Sequence, residues 1–308
     1  MKSTAVRATR RMAMAFLVVA GTCGVESSEL LSTDSSDQRE RTNNYRAAAR
    51  FVCGTATGAL ADDPILVAHR GLLRHAPENT LPAFAACLEL GMGFELDIRT
   101  TKDGRLVVLH DDNVERTTDG PRRSIRDLKL AQARRLDAGS WFDPAFAGER
   151  IPTLEETLAL VKTRKRGPTI IALNVKQLNP AGEQRLVSLV EKYGLLDESF
   201  AFDQSAEMSR RLKKINAKFR IGQNVNRQSL DQRLKEDFLD VFLLTFAPTR
   251  GEVMRLHERN KQVMFNYAGS GAARRNASTW KLARDSQIDG MLTDYPLECR
   301  SLWRTPQP

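Results

Sequence analysis

The stretch Phe94–Asp112, FELDIRTTKDGRLVVLHDD, decides how the rest of the chain is read. It is mostly apolar, yet it carries Glu95 and Asp97 in a run with the composition of a buried strand. Strand side chains alternate faces, so Glu95 and Asp97 share one side while Phe94, Leu96 and Ile98 share the other. Two carboxylates that close repel, and each raises the other's pKa unless a cation lies between them. The pattern therefore asks for a metal ion. TKDG then reads as a tight turn, with Gly104 free to take the positive φ that such turns require. RLVVLHD runs back as an extra strand, carrying His110 toward the two acids.

Outward from this stretch, short apolar runs alternate with amphipathic segments from Ile65 to the end. ILVAH reads as a strand. TLPAFAACLELG reads as a helix, with Thr80 as N-cap, Pro82 in the first turn and Gly91 as stop. TLEETLALVK opens with a capping box, Thr153 and Glu156, and repeats its apolar residues at helical spacing. The strands TIIALNV, FAF, FRIGQNV, DVFLLTF, QVMFNY and DGMLTD then alternate with helical segments. Setting aside RLVVLH, eight strands are counted. That alternation calls for a parallel sheet with crossover helices, and eight units predict an α/β chain closed as a (β/α)8 TIM barrel, with an extra strand after the second barrel strand. An open doubly wound sheet is the alternative, but no glycine-rich phosphate fingerprint follows the first strand. The polar residues at the carboxyl ends of the strands are His69 and Arg70, Glu95 and Asp97, Asn174 and Lys176, Asp203, Asn266 and Asp294. Barrel enzymes gather their chemistry at that face.

The length of 308 residues suits one such barrel, and a hydrophobic content of 41% suffices for its core. A net charge of +9 favours anionic partners and leaves an anionic membrane surface open among them. With aromatics at 6% and no aromatic residues interleaved with the basic ones, nucleic acid is not expected as a partner. The oligomeric state is not legible. The four cysteines, Cys23, Cys53, Cys87 and Cys299, show no paired spacing, so neither a zinc site nor a disulfide framework follows. Residues 1–26 run from a basic start into an apolar stretch short of the ~20 residues that span a bilayer, the order of a signal peptide or an N-terminal anchor. A secreted or periplasmic location is expected, with membrane anchoring as the alternative. Residues 27–63 read as a polar linker too poor in apolar residues to order itself, and residues 64–308 as the barrel.

AHRG followed by PENT, then ELDIRTTKDG and VVLHDD, and much later TDYP, resembles the glycerophosphodiester phosphodiesterase family. The resemblance implies a TIM barrel that uses a divalent cation, calcium or magnesium, and hydrolyses glycerophosphodiesters to glycerol 3-phosphate and an alcohol. It implies that His69 and His110 form the acid–base pair, because one group must take a proton while the other gives one to the departing alkoxide. Glu95 and Asp97 match metal ligands, and hard oxygen donors suit calcium or magnesium. Arg70 and Lys176 would hold the phosphate, with Glu78 and Asn79 of PENT lining the site. One departure stands out: the family carries a third acidic ligand in a strand reading like IEIK, whereas this chain has LNVK, which puts Asn174 in that place. Two other readings stay open, one from a different class and one a narrower enzyme rival. One is a catalytically weak relative that binds phosphodiesters or lipid headgroups; the other is a phospholipase acting on lysolipids or sphingolipids.

Overall fold

A computed structural model describes residues 63–269 and 271–304. The expectations for residues 1–62, leader and linker alike, lie outside the described residues. Eight parallel strands form the wall: β1 (Ile65–Ala68), β2 (Gly93–Thr100), β4 (Ile171–Val175), β5 (Ser199–Phe202), β6 (Gly222–Val225), β7 (Val241–Leu244), β8 (Gln262–Tyr267) and β9 (Gly290–Thr293). β3 (Leu106–Val108) is the additional one. The hydrogen-bonded order runs β5-β4-β2-β1-β9-β8-β7-β6, with β3 antiparallel on β2. A parallel bridge between Ala201 and Ile221 brings the two ends of that path together, and Ala201 N donates to Arg220 O at 3.0 Å. The result is a nearly closed parallel barrel, as the alternation of the sequence demands.

The crossover elements include α1 (Leu81–Glu89), α2 (Leu130–Ala133), α3 (Leu154–Arg164), α4 (Pro180–Lys192), α5 (Ala206–Ile215), α6 (Leu230–Arg233), α7 (Arg250–His257), α8 (Ala277–Asp285) and α9 (Pro296–Arg304). The capping box expected at α3 is present, with Thr153 and Glu156 side chains each meeting the other's backbone. Thr80 does precede α1, but its hydroxyl donates to Pro77 O at 2.6 Å and makes no cap bond. Thr80 thus ties down the PENT turn. Among the described residues, no helix is long and apolar enough to cross a membrane.

Two apolar layers follow from the period-two alternation of the strands. One face of each strand packs on the helices, as with Leu96, Ile98 and Leu173 against Leu158, Leu186 and Phe84. The other face fills the barrel interior with Val67, Ala172, Phe200, Leu243, Met264 and Leu292. Glu95 and Asp97 lie on that inward face, so the interior is apolar below and charged above. A third cluster, including Val107, Leu109, Val114, Ile125 and Ile151, holds the long excursion between β3 and α3 as a small packed unit. This excursion carries His110.

Candidate active site

The site is built on β2 and its neighbours. The registers Phe94↔Ile171 and Asp97↔Asn174 set Glu95, Asp97 and Asn174 on one inward-facing patch of two adjacent strands. The register Val67↔Gly93 brings β1 alongside, so the chain leaves β1 directly above that patch. His69 and Arg70 are the next residues. Arg70 has φ 54° and Asn79 φ 58°, left-handed values that carry a steric cost for residues with a Cβ. Two bonds hold these turns: Arg70 N donates to Glu95 Oε2 at 3.0 Å, and Asn79 N donates to Arg70 O at 3.0 Å.

The two acids are fully buried and differ in their neighbours. Burial, and then the charge of Asp97, push Glu95 up to about 7. Burial also pushes Asp97 upward, but Lys176, His110, Asn79 and Arg70 outweigh it and hold Asp97 below the usual carboxylate range. Lys176 Nζ lies 3.1 Å from Asp97 Oδ1, and Asn79 Nδ2 donates to Asp97 Oδ2 at 2.9 Å. Glu95 Oε1 and Asn174 Oδ1 are both buried and have no hydrogen-bond partner among the described residues. Buried oxygens left unsatisfied are costly and mark places where a donor or cation belongs.

The two histidines come to the same mouth from the ends of β1 and β3. His69 Nδ1 lies 2.9 Å from Asp294 Oδ1, at the end of β9, and its Nε2 lies 3.9 Å from Glu95 Oε2. Asp294 Oδ1 also accepts from Gly269 N at 3.0 Å. Burial pulls the pKa of His69 down, but the bond to Asp294 and the charge of Glu95 overcome it, so the net shift is upward. His110 follows β3: Leu109 N donates to Asp97 O at 3.0 Å, and Arg99 Nε and Nη2 donate to His110 O at 2.9 and 2.6 Å. His110 Nδ1 lies 2.7 Å from Asp111 Oδ1. A carboxylate only accepts, so in both histidines Nδ1 carries a proton, and Nε2 is the nitrogen placed to take or give one.

The remaining expected residues join this cluster, Glu78 and Asn79 through other residues of the site. Glu78, expected to line the site beside the phosphate, is held by two arginines. Arg70 Nη1 donates to its Oε1 at 2.9 Å, and Arg116 donates to both its oxygens at 2.7 and 2.9 Å. Arg116 also donates to Asp111 Oδ2 at 2.6 Å, and it holds the Asp111 carboxyl down at about 2. Glu78 therefore orients Arg70, and Asn79 orients Asp97. Asp294, Asp111 and Arg116 are neighbours of the candidate residues to which the sequence assigned no role. Their signals were the TDYP and HDD runs and the ERTT that follows. Among the described residues, no group of three histidine, cysteine or acidic side chains forms a metal cluster. The oxygen set at the barrel mouth is two carboxylates and an amide.

A nearly closed parallel barrel that gathers polar and charged side chains at the carboxyl ends of its strands has the build of a barrel enzyme. The chain belongs to the glycerophosphoryl diester phosphodiesterase family, whose model matches residues 69–298. It is 37% identical over 162 residues to a glycerophosphodiester phosphodiesterase of Caldanaerobacter subterraneus, a match covering 51% of this chain and 65% of that one. It is 41% identical over 138 residues to the putative glycerophosphodiester phosphodiesterase YhdW of Bacillus subtilis, covering 44% of this chain and 53% of that one. The matched stretches thus span between about half and two-thirds of these relatives. A glycerophosphodiester phosphodiesterase structure from Agrobacterium tumefaciens superposes with a TM-score of 0.63 at 26% identity, covering 76% of this chain and 97% of that one. An Oleispira antarctica phosphodiesterase in complex with its product, sn-glycerol-3-phosphate, shares the fold with a TM-score of 0.64 at 23% identity, covering 79% of this chain and 98% of that one.

Proposed function

We propose that the chain hydrolyses glycerophosphodiesters to glycerol 3-phosphate and an alcohol, with His69 and His110 as the acid–base pair. The single observation that carries this reading is that both imidazoles have Nδ1 on a carboxylate, at 2.9 and 2.7 Å. A site that only bound phosphodiesters has little use for two imidazoles fixed in the same tautomer. One histidine takes a proton from the attacking oxygen, either water or a glycerol hydroxyl, as a new P–O bond forms. The other gives a proton to the alkoxide as the old P–O bond breaks. If the glycerol hydroxyl attacks first, water then opens the cyclic phosphate with the two roles reversed. Arg70 and Lys176 counter the charge on the phosphate oxygens, and Glu78 keeps the Arg70 fork aimed.

The residues present fit a divalent cation. Glu95 Oε1 and Asn174 Oδ1 are buried oxygens with coordination to spare, and Asp97 lies between them in register. Hard oxygen donors of this kind suit calcium or magnesium. Such an ion would hold the phosphate and neutralise charge developing on it. With Asn174 as a neutral ligand, binding is weaker than an all-acidic set would give. The test is release of glycerol 3-phosphate by the purified chain from a panel of glycerophosphodiesters, with calcium, magnesium or chelator. Turnover that chelator abolishes and one cation restores is the expected result. No turnover on any diester with either ion would contradict the reading.

A further inference from the structure

Beside Lys176 the barrel mouth opens into a cleft of about 770 Å3, walled by Arg99, Asp112, Arg126, Lys176, Asp203 and Met208. A second recess of about 490 Å3 shares Arg126 and Met208 with it and extends it outward past Lys102. The cleft starts at the groups that would flank the scissile bond. Lys176 pairs with Asp97 at 3.1 Å, and Arg99 grips the carbonyl of His110. Arg99, Arg126 and Lys176 line it with Asp112 and Asp203; Lys176 is already countered by Asp97 and Asp203, so the positive charge that the cleft leaves accessible is the guanidinium of Arg126. Asp112 is shared by two guanidinium groups at long range, 3.5 Å from Arg99 and 3.6 Å from Arg126. The Arg126 side chain is 44% exposed, and its one other bond among the described residues is to Gln177 Oε1 at 3.2 Å, so most of its five N–H donors are unused by the described residues. No aromatic ring stands among the described residues lining the cleft, so it offers no cage for a quaternary ammonium.

We propose that this cleft receives the leaving alcohol and selects alcohols that carry a negative charge of their own, with Arg126 as the selecting residue. The proposal rests on the phosphodiesterase reading and adds the substrate class. Arg126 and Arg99 meet the distal anion, while the phosphodiester itself stays with Lys176 and Arg70. Specificity arises because a cationic alcohol is repelled by the Arg126 guanidinium, whereas an anionic one supplies the counter-charge that Asp112 only half provides.

The experiment compares kcat/KM at low ionic strength for three substrates sharing one glycerol phosphate end. These are glycerophosphocholine, glycerophosphoglycerol and bis(glycerophospho)glycerol, whose leaving alcohols are cationic, neutral and anionic. The expected order rises along that series, with the anionic substrate about tenfold or more above the cationic one. Arg126→Glu is expected to cut that ratio about tenfold or more, and Arg126→Ala by less, with melting temperatures matching the wild type. A preference for glycerophosphocholine, or a ratio unchanged in both variants, overturns the proposal while leaving the phosphodiesterase reading in place. Absence of turnover on all three removes that reading and the proposal together.

Discussion

At Asp294 one carboxylate oxygen accepts from both His69 Nδ1 and Gly269 N. It thereby fixes the tautomer and the orientation of the ring. An amide in its place can present a donor to Nδ1 and reverse the tautomer, so Asp294→Asn should lower kcat about 10²-fold with much less effect on KM. Steady-state kinetics check this, and an unaltered kcat would mean that His69 works without its carboxylate. At Asn174 the buried Oδ1, without a hydrogen-bond partner among the described residues, is taken as a ligand of the proposed cation. Asn174→Glu should then raise calcium or magnesium affinity by about 1 kcal/mol, the difference between neutral and charge-assisted contacts. Isothermal titration measures it. Unchanged cation affinity together with collapsed turnover would instead put Asn174 against the substrate's phosphate.

The excursion after β3 behaves as an element in its own right, because its own apolar cluster holds it and Arg116 ties it to the PENT turn. Through Asp111 and Glu78 this one guanidinium supports both His110 and Arg70. Arg116→Ala should lower kcat, and Arg116→Lys should restore little, since an ammonium cannot reproduce the fork. The stability penalty of Arg116→Ala should also depend on pH. Asp111 is held down at about 2, so its contribution is present above its ordinary value near about 4 and is lost as pH falls toward about 2. Melting curves of the pair from about pH 7 down to about pH 2.5 should converge, and a constant gap would exclude Asp111 as the cause. Between β2 and β4, a Cβ on Gly93 would sit 2.2 Å from Ile170 O, so the two strands approach as only glycine allows. Gly93→Ala should cost about 2 kcal/mol or more, several degrees in Tm. The sequence made these strands legible through alternation, and the inward acids through period two. It could not show that β3 would end at Val108, or that Glu78 would face arginines. Those outcomes depend on how a long irregular excursion packs, and no periodicity records that.

For the whole molecule, the order of strands and the site's position at the carboxyl mouth were readable because each parallel strand needs its own crossover, which leaves a repeating trace. The pairings across the mouth were less readable. His69 with Asp294 joins the first strand to the last, 225 residues apart, and only barrel closure brings them together. If a cation binds the two buried acids as proposed, the whole fold should be sensitive to it. At about 100 times its Kd, an ion that binds only the native state adds about 2.7 kcal/mol, so Tm should rise by several degrees with calcium or magnesium. Calorimetry with each ion and with chelator checks this, and no shift with any divalent ion would remove the cation from the account. The central claim is that two carboxylate-backed histidines perform the acid–base work of phosphodiester hydrolysis. Its most direct test is kcat for His69→Ala and His110→Ala beside the wild type, on the best glycerophosphodiester, with Tm recorded for each. The account predicts that each variant stays folded and loses about 10²-fold or more in kcat. A folded variant of either histidine that turns over near the wild-type rate would contradict it.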